Sequence, residues 1–142
     1  RRRPSTATKR LEIRKDSSSY RGDNYCAAGG MPLVMHDATL SFLSKGNIRK
    51  REAAALTSVK PDLFANFNSR FESSLVLSLN AIQLLVQLGY SHMKNELFPG
   101  EAINVGPDFG KRAERILKAT PNIAAVLASP VEELYLNFRI QL

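Results

Sequence analysis

Between Asp62 and about Met93, large apolar side chains recur mostly every three or four positions: Phe64, Phe67, Phe71, Leu75, Leu79, Ile82, Leu85, Val86 and Tyr90. A period near 3.6 held over this length is served by an α-helix, because a strand would scatter the same side chains over both faces. The stripe is broad enough for burial on more than one side, so this segment is the expected central helix of the fold. Pro61 suits its first turn, and Gly89 is placed to break or cap it. With 142 residues and 44% hydrophobic content, the chain has the size and composition of one ordinary globular domain.

The other expected elements are shorter. Asp37 reads as the N-cap of a helix carrying Leu40, Phe42 and Leu43 and stopped by Gly46. Residues 48–59 form a second, through the helix formers Ala53, Ala54, Ala55 and Leu56. A third runs from Pro107 to Ala119; Pro121 opens a fourth that reaches Ala128, and Pro130 ends that region. Residues 16–30, rich in Ser, Gly and Asn, and residues 99–107 read as loops, with an apolar run from Pro32 to Met35 between them. Residues 9–15 alternate, Leu11 and Ile13 on one face and Arg10, Glu12 and Arg14 on the other, as in a short half-buried strand.

The C-terminus carries the clearest local pattern. Leu134, Leu136, Phe138, Ile140 and Leu142 alternate with Tyr135, Asn137, Arg139 and Gln141, so all nine positions fit a strand with one buried face. The expected fold is therefore α+β and mostly helical: a central long helix, shorter helices and a small β-ribbon, with residues 1–8 a flexible basic arm and residues 9–142 a single globular domain. A lone two-stranded ribbon is marginal in water. Pairing the last strand with its copy in a second subunit would cover its apolar face and make a homodimer.

Charge is distributed as unevenly as hydropathy. Arg1, Arg2, Arg3, Lys9, Arg10, Arg14 and Lys15 oppose only Glu12 in the first fifteen residues, giving +6 of the formal +7. Residues 16–142 hold 13 Lys and Arg against 12 Asp and Glu. A short cationic arm on a near-neutral body suits a polyanion, whose condensed counterions are released on binding. No run approaches eighteen apolar residues, so no membrane span is expected. No apolar stretch follows the basic terminus as a secretory signal requires, and the single Cys26 cannot form an internal disulfide, so a reducing cytoplasm is the expected compartment. The chain opens on Arg rather than Met and is expected to be a piece of a longer protein.

Catalytic patterns are absent from the sequence. Gly29-Gly30 lacks the remaining glycines and the Lys-Ser/Thr of a phosphate loop, and there is no nucleophile elbow or zinc-ligand spacing. Glu132 and Glu133 are adjacent and project differently, His36 beside Asp37 has no nucleophile to serve, and Cys26 reads as a passive loop thiol. The expectation is a non-enzyme with no metal, cofactor or small-molecule ligand.

Recognition of duplex DNA has better candidates. Arg1-Arg2-Arg3-Pro4 has the chemistry of arms that enter a narrow minor groove. Arg suits guanine and Asn and Gln suit adenine in the major groove, so Tyr135, Asn137, Arg139 and Gln141 on one strand face are candidate base readers. The rival ribbon is residues 9–15, reading through Arg10, Glu12 and Arg14. Candidate phosphate contacts are the arm residues Arg1, Arg2, Arg3, Lys9, Arg10, Arg14 and Lys15, the cluster Arg49, Lys50 and Arg51, and the helix residues Lys111, Arg112, Arg115 and Lys118.

The order of these segments resembles a known family. A basic strand with Lys9-Arg10-Leu11-Glu12-Ile13-Arg14 precedes Pro32-Leu33-Val34 and the stretch from Ala38 to Gly46; the helix with Pro61, Phe64, Phe67 and Phe71 follows, up to Asn80-Ala81. Over roughly residues 9–142 this is similar to the AcaB-type transcriptional activators of conjugative plasmids and related integrating elements. The resemblance implies a ribbon-helix-helix relationship: a dimer whose paired strands enter the major groove at promoters of transfer genes, in the bacterial cytosol. That unit runs strand, helix, helix, whereas the most regular strand pattern here comes last. Two other functions stay open, an RNA-binding module with a basic tail and a non-enzymatic assembly subunit of a transfer or phage apparatus.

Overall fold

The structure, a computed structural model, describes residues 24–46, 52–94 and 97–141. Six helices and one two-stranded sheet make up these residues: α1 (Asn24–Met35), α2 (Asp37–Leu43), α3 (Ala53–Val59), α4 (Phe67–Gln87), β1 (Ser91–Met93), β2 (Leu97–Pro99), α5 (Gly110–Leu127) and α6 (Val131–Phe138). Single 3-10 turns precede α4 and α5 at Pro61–Leu63 and Pro107–Phe109. The mostly helical α+β architecture agrees with the sequence pattern. The expected strand at residues 9–15 lies outside the described residues.

α1 replaces part of what reads as a loop. Its Gly29-Gly30 pair is poor helix material by propensity, but the missing side chain of Gly29 lets Leu127 of α5 approach: a Cβ there would sit 3.3 Å from Leu127 Cδ2. Pro32 and Leu33 are buried in the same helix, and α1 packs against α2, α4 and α5. Burial thus overrides local preference. α2 starts one residue off the expected cap, with His36 at the N-cap and Asp37 in the first turn.

α4 is the longest helix, but it lies along one side of the fold rather than at its centre. It buries Phe67, Phe71, Ser78 and Ile82, and packs on α1 and β1. It begins at Phe67 rather than at Asp62, after the 3-10 turn, and ends six residues short of Met93, because Gly89 takes φ +78°. The amides of Gly89 and Tyr90 bond back to the carbonyls of Val86 and Leu85, a Schellman closure. The chain then forms β1 and pairs with β2 in the register Ser91↔Pro99, His92↔Phe98, Met93↔Leu97. Gly100 continues the pairing, its amide bonding to the Tyr90 carbonyl, at a place where a Cβ would overlap the Gly89 carbonyl oxygen.

α5 runs unbroken through Pro121, where the sequence reads as two helices. Proline forfeits the amide bond to the carbonyl four residues back, here that of Leu117. The surrounding turns are held by burial of Ala119, Ile123 and Val126 and by Asn122. The buried Asn122 side chain donates to the carbonyl of Leu43 (2.5 Å), satisfying an acceptor at the end of α2.

The C-terminal strand is the largest correction: Val131–Phe138 is a helix. Residues four apart share a face in both a strand and a helix, so Leu134 and Phe138 are buried under either reading, and they are. Leu136 separates the two. A strand would bury it with them, whereas a helix turns it away, and it is 79% exposed. Glu132 and Glu133 in the first turn complement the helix dipole. Arg139, left-handed at φ 54°, closes the helix with a second Schellman turn, its amide bonding to Leu136 and that of Ile140 to Tyr135.

The core joins both halves of the chain: Leu33, Leu40, Leu43, Leu56, Phe64, Phe67, Phe71, Val126, Leu134 and Phe138 belong to one buried cluster. Phe138 stacks on Phe67 at 4.4 Å and on Phe64 at 5.4 Å between ring centroids. Truncation of this ring, Phe138→Ala, is expected to cost about 3–5 kcal/mol in denaturant unfolding, while Leu136→Ala changes stability by less than about 0.5 kcal/mol. Equal losses at the two positions would contradict the helix. Arg139→Gly relieves the left-handed residue and is expected to stabilise by up to about 1 kcal/mol in the same assay.

Candidate functional site

Nine Lys and Arg face nine Asp and Glu in the described residues. The entire positive excess therefore belongs to the remaining segments, where Arg1, Arg2, Arg3, Lys9, Arg10, Arg14, Lys15, Arg49, Lys50 and Arg51 all lie outside the described residues.

Of the candidates on the described body, α5 groups four cations. Lys111, Arg115 and Lys118 recur at helical spacing along an exposed stripe, as their separation implies. Lys118 donates to Glu114 one turn earlier at 2.8 Å. That hydrogen bond, followed by the charges of Lys118 and Lys111, holds the Glu114 carboxyl below its ordinary range. Lys111 and Arg115 form no ion pair among the described residues and stand open to solvent. Arg112 braces the fold instead. Its Nη1 meets Asp37 Oδ1 at 2.6 Å and its Nη2 donates to the Val34 carbonyl at 3.3 Å, tying α5 to the α1–α2 junction.

The proposed reading face of the C-terminus is not assembled. Tyr135 and Asn137 are set 200° apart around α6 rather than on one strand face. Asn137 donates to the Glu133 carbonyl at 2.7 Å, Arg139 occupies the left-handed closure, and the Gln141 amide donates to Asn68 Oδ1 at 2.9 Å. These four side chains cannot act as one base-reading row.

His36, weighed from sequence as an oriented base, has a local structural role. Thr39 Oγ1 lies 2.7 Å from His36 Nδ1 and 3.2 Å from the Leu63 carbonyl, so it links the imidazole to the turn before α4. Arg70 Nη2 donates to the same Leu63 carbonyl at 2.6 Å. Burial, reinforced by the Arg70 charge and opposed by Asp37, lowers the His36 pKa from 6.5. No group of three or more His, Cys, Asp or Glu is arranged for a metal among the described residues. The apolar depression between Gly29, Phe71, Leu127 and Leu134 offers no carboxylate, cation or histidine. No helix of the described residues is long and apolar enough to cross a membrane.

Sequence reasoning passed over the outer face of α4. Val76, Leu77, Leu79, Leu84 and Leu88, at or just past its C-terminal half, are each about half exposed or more. The signal was present: no Asp, Glu, Lys or Arg occurs from Ser73 to Met93, and the apolar positions exceed what one buried stripe uses. Searches of protein-family models, curated proteins and solved structures find no match to this chain.

His36 gives this site a pH signature. Its folded pKa is depressed, so as pH falls the unfolded chain takes the proton first and stability declines. Thermal unfolding is expected at a constant midpoint above about pH 7 and at a falling one below 6.5. His36→Gln flattens that slope between pH 6.5 and 5; an unchanged slope would remove His36 as its source.

Proposed function

We propose that the chain is a sequence-specific DNA-binding transcription regulator that acts as a homodimer, in the manner of the AcaB-type activators of transfer genes. The observation that carries this reading is the segregation of charge: +6 in residues 1–15, with the described body balanced. Such an arm holds the phosphate backbone whatever its sequence. Lys111, Arg115 and Lys118 on α5 add a second cationic stripe for flanking phosphate.

Loss of the C-terminal ribbon moves base reading to the N-terminus. Residues 9–15 become the ribbon candidate, with Arg10, Glu12 and Arg14 toward the bases and Arg1, Arg2 and Arg3 in the adjacent minor groove. The order of segments also fits a ribbon-helix-helix unit better in this form, because α1 and α2 follow that stretch. An assembly subunit is the second reading, favoured by the charge-free outer face of α4. RNA binding is supported less, since stacking platforms spread several aromatics over a four-stranded sheet, whereas the two-stranded sheet presents a single exposed pair, His92 and Phe98, among the described residues.

Selection from a random duplex pool across a salt series tests the regulator. The full chain is expected to select a two-fold symmetric motif that survives physiological salt, and deletion of residues 1–15 abolishes it. Lys111→Ala with Arg115→Ala weakens all sequences alike and lowers the salt slope by about two. Arg139→Ala leaves the motif unchanged. Binding that selects nothing and collapses with salt would reject the regulator in favour of the assembly subunit.

A further inference from the structure

Charge is unevenly divided within the described body itself. Helix α5 and the stretch from Asp37 to Lys45 hold five of its nine Lys and Arg but two of its nine Asp and Glu, Asp37 and Glu114. The rest of the described body is net acidic, with seven carboxylates against four cations. Lys111, Arg115, Lys118 and Asn122 follow one another at steps of four, three and four, a single ridge of α5 about 16 Å long. Asn122 is buried at the end of this ridge, where its side-chain amide donates to the Leu43 carbonyl and, at 3.5 Å, to that of Lys45. Those bonds hold the exposed Lys45 where the ridge ends. The only charged residue of α2 itself, Asp37, is taken by Arg112. We infer that Lys111, Arg115, Lys118 and Lys45 form the track on which the body seats against the phosphates of one DNA strand, with Glu114 opposing the contact. The inference rests on the DNA reading above; it adds Lys45 and defines which side of the body meets the duplex.

Charge complementarity supports the duplex as the occupant. Each strand of a duplex places a phosphate about every 3.4 Å of axis, so a row of about 16 Å laid along it passes about five of them. The acidic remainder of the body is repelled by the same phosphates, so approach is favoured from the α5 side alone. An anionic bilayer fits less well, because a helix lying on one also sinks apolar side chains into it. Those of α5, Ala119, Ile123 and Val126, are buried in the core. Lys118 is shared with Glu114 at 2.8 Å, and phosphate has to compete for it. Charges farther than about 10 Å from the backbone are largely screened at 0.1 M salt, so position on the track, and not net charge, decides what each residue contributes.

Binding of the full chain to a random-sequence duplex, followed by fluorescence anisotropy over a salt series, is the test. Lys45→Gln and Arg115→Gln are each expected to weaken binding several-fold and to lower the salt slope by about one. Lys60→Gln and Lys94→Gln remove the same charge from α3 and β1, which pack on α6 and α4, and are expected to change affinity by less than about twofold. Glu114→Gln releases Lys118 and is expected to tighten binding about threefold or more, whereas Glu132→Gln on α6 leaves it unchanged. All six side chains are exposed, so the fold is retained. Equal losses at the four cation positions, or a Glu114→Gln protein no tighter than the parent, would overturn the track. Tighter binding to an RNA hairpin or to vesicles of anionic phospholipid than to the duplex would overturn it too. A chain that shows the expected pattern but selects no motif keeps the track and loses the regulator; one that selects a motif without the pattern keeps the regulator and loses the track.

Discussion

Phe138 holds the described body together. Its ring lies against Phe67 at the start of α4 and Phe64 in the turn before it, so the end of the chain is fastened to the middle. Leu134 enters the same cluster one turn earlier, and Ile140 packs on it after the left-handed closure at Arg139. A ring buried to 2% exposure contributes several kcal/mol, far more than the exposed Arg112–Asp37 pair, since ion pairs of that kind contribute at most about 1 kcal/mol. α6 therefore owes its place to aromatic packing.

The same residues explain what was legible in the sequence. The existence of α4 follows from the spacing of Phe67, Phe71, Leu75 and Ile82, and the common face of Lys111, Arg115 and Lys118 from their separation. The C-terminus deceived because alternation and helical period agree at positions i and i+4 and differ at i+2. Leu136 fits a buried strand position as readily as an exposed helix position, so the pattern alone could not choose. Pro130 followed by Glu132 and Glu133 was the competing signal, a helix start with its dipole matched, and tertiary packing decided for it.

Other departures arise from contacts distant in sequence. Gly29 and Gly30 look like loop residues until Leu127, nearly a hundred positions later, is laid against them. Pro121 looks like a helix start until Asn122 is seen bound to Leu43. Buried contacts compensate for poor local propensity in both cases, and neither partner can be read from its own neighbourhood. The outer face of α4 was hidden for a different reason. Its apolar residues look like surplus core, and only the packing of α4 on α1 and β1 shows which of them lack cover.

Gly89 links two elements that differ greatly in size. Its carbonyl accepts the Glu101 amide at 3.1 Å while its own amide closes α4, and Tyr90 and Gly100 are bonded beside it. A two-stranded ribbon this short has little stability of its own, so it persists by being spliced to the helix end. Fraying of the last turn of α4 and melting of the ribbon are consequently one opening event, and hydrogen exchange at the ribbon amides becomes a gauge of how firmly the end of the helix is held.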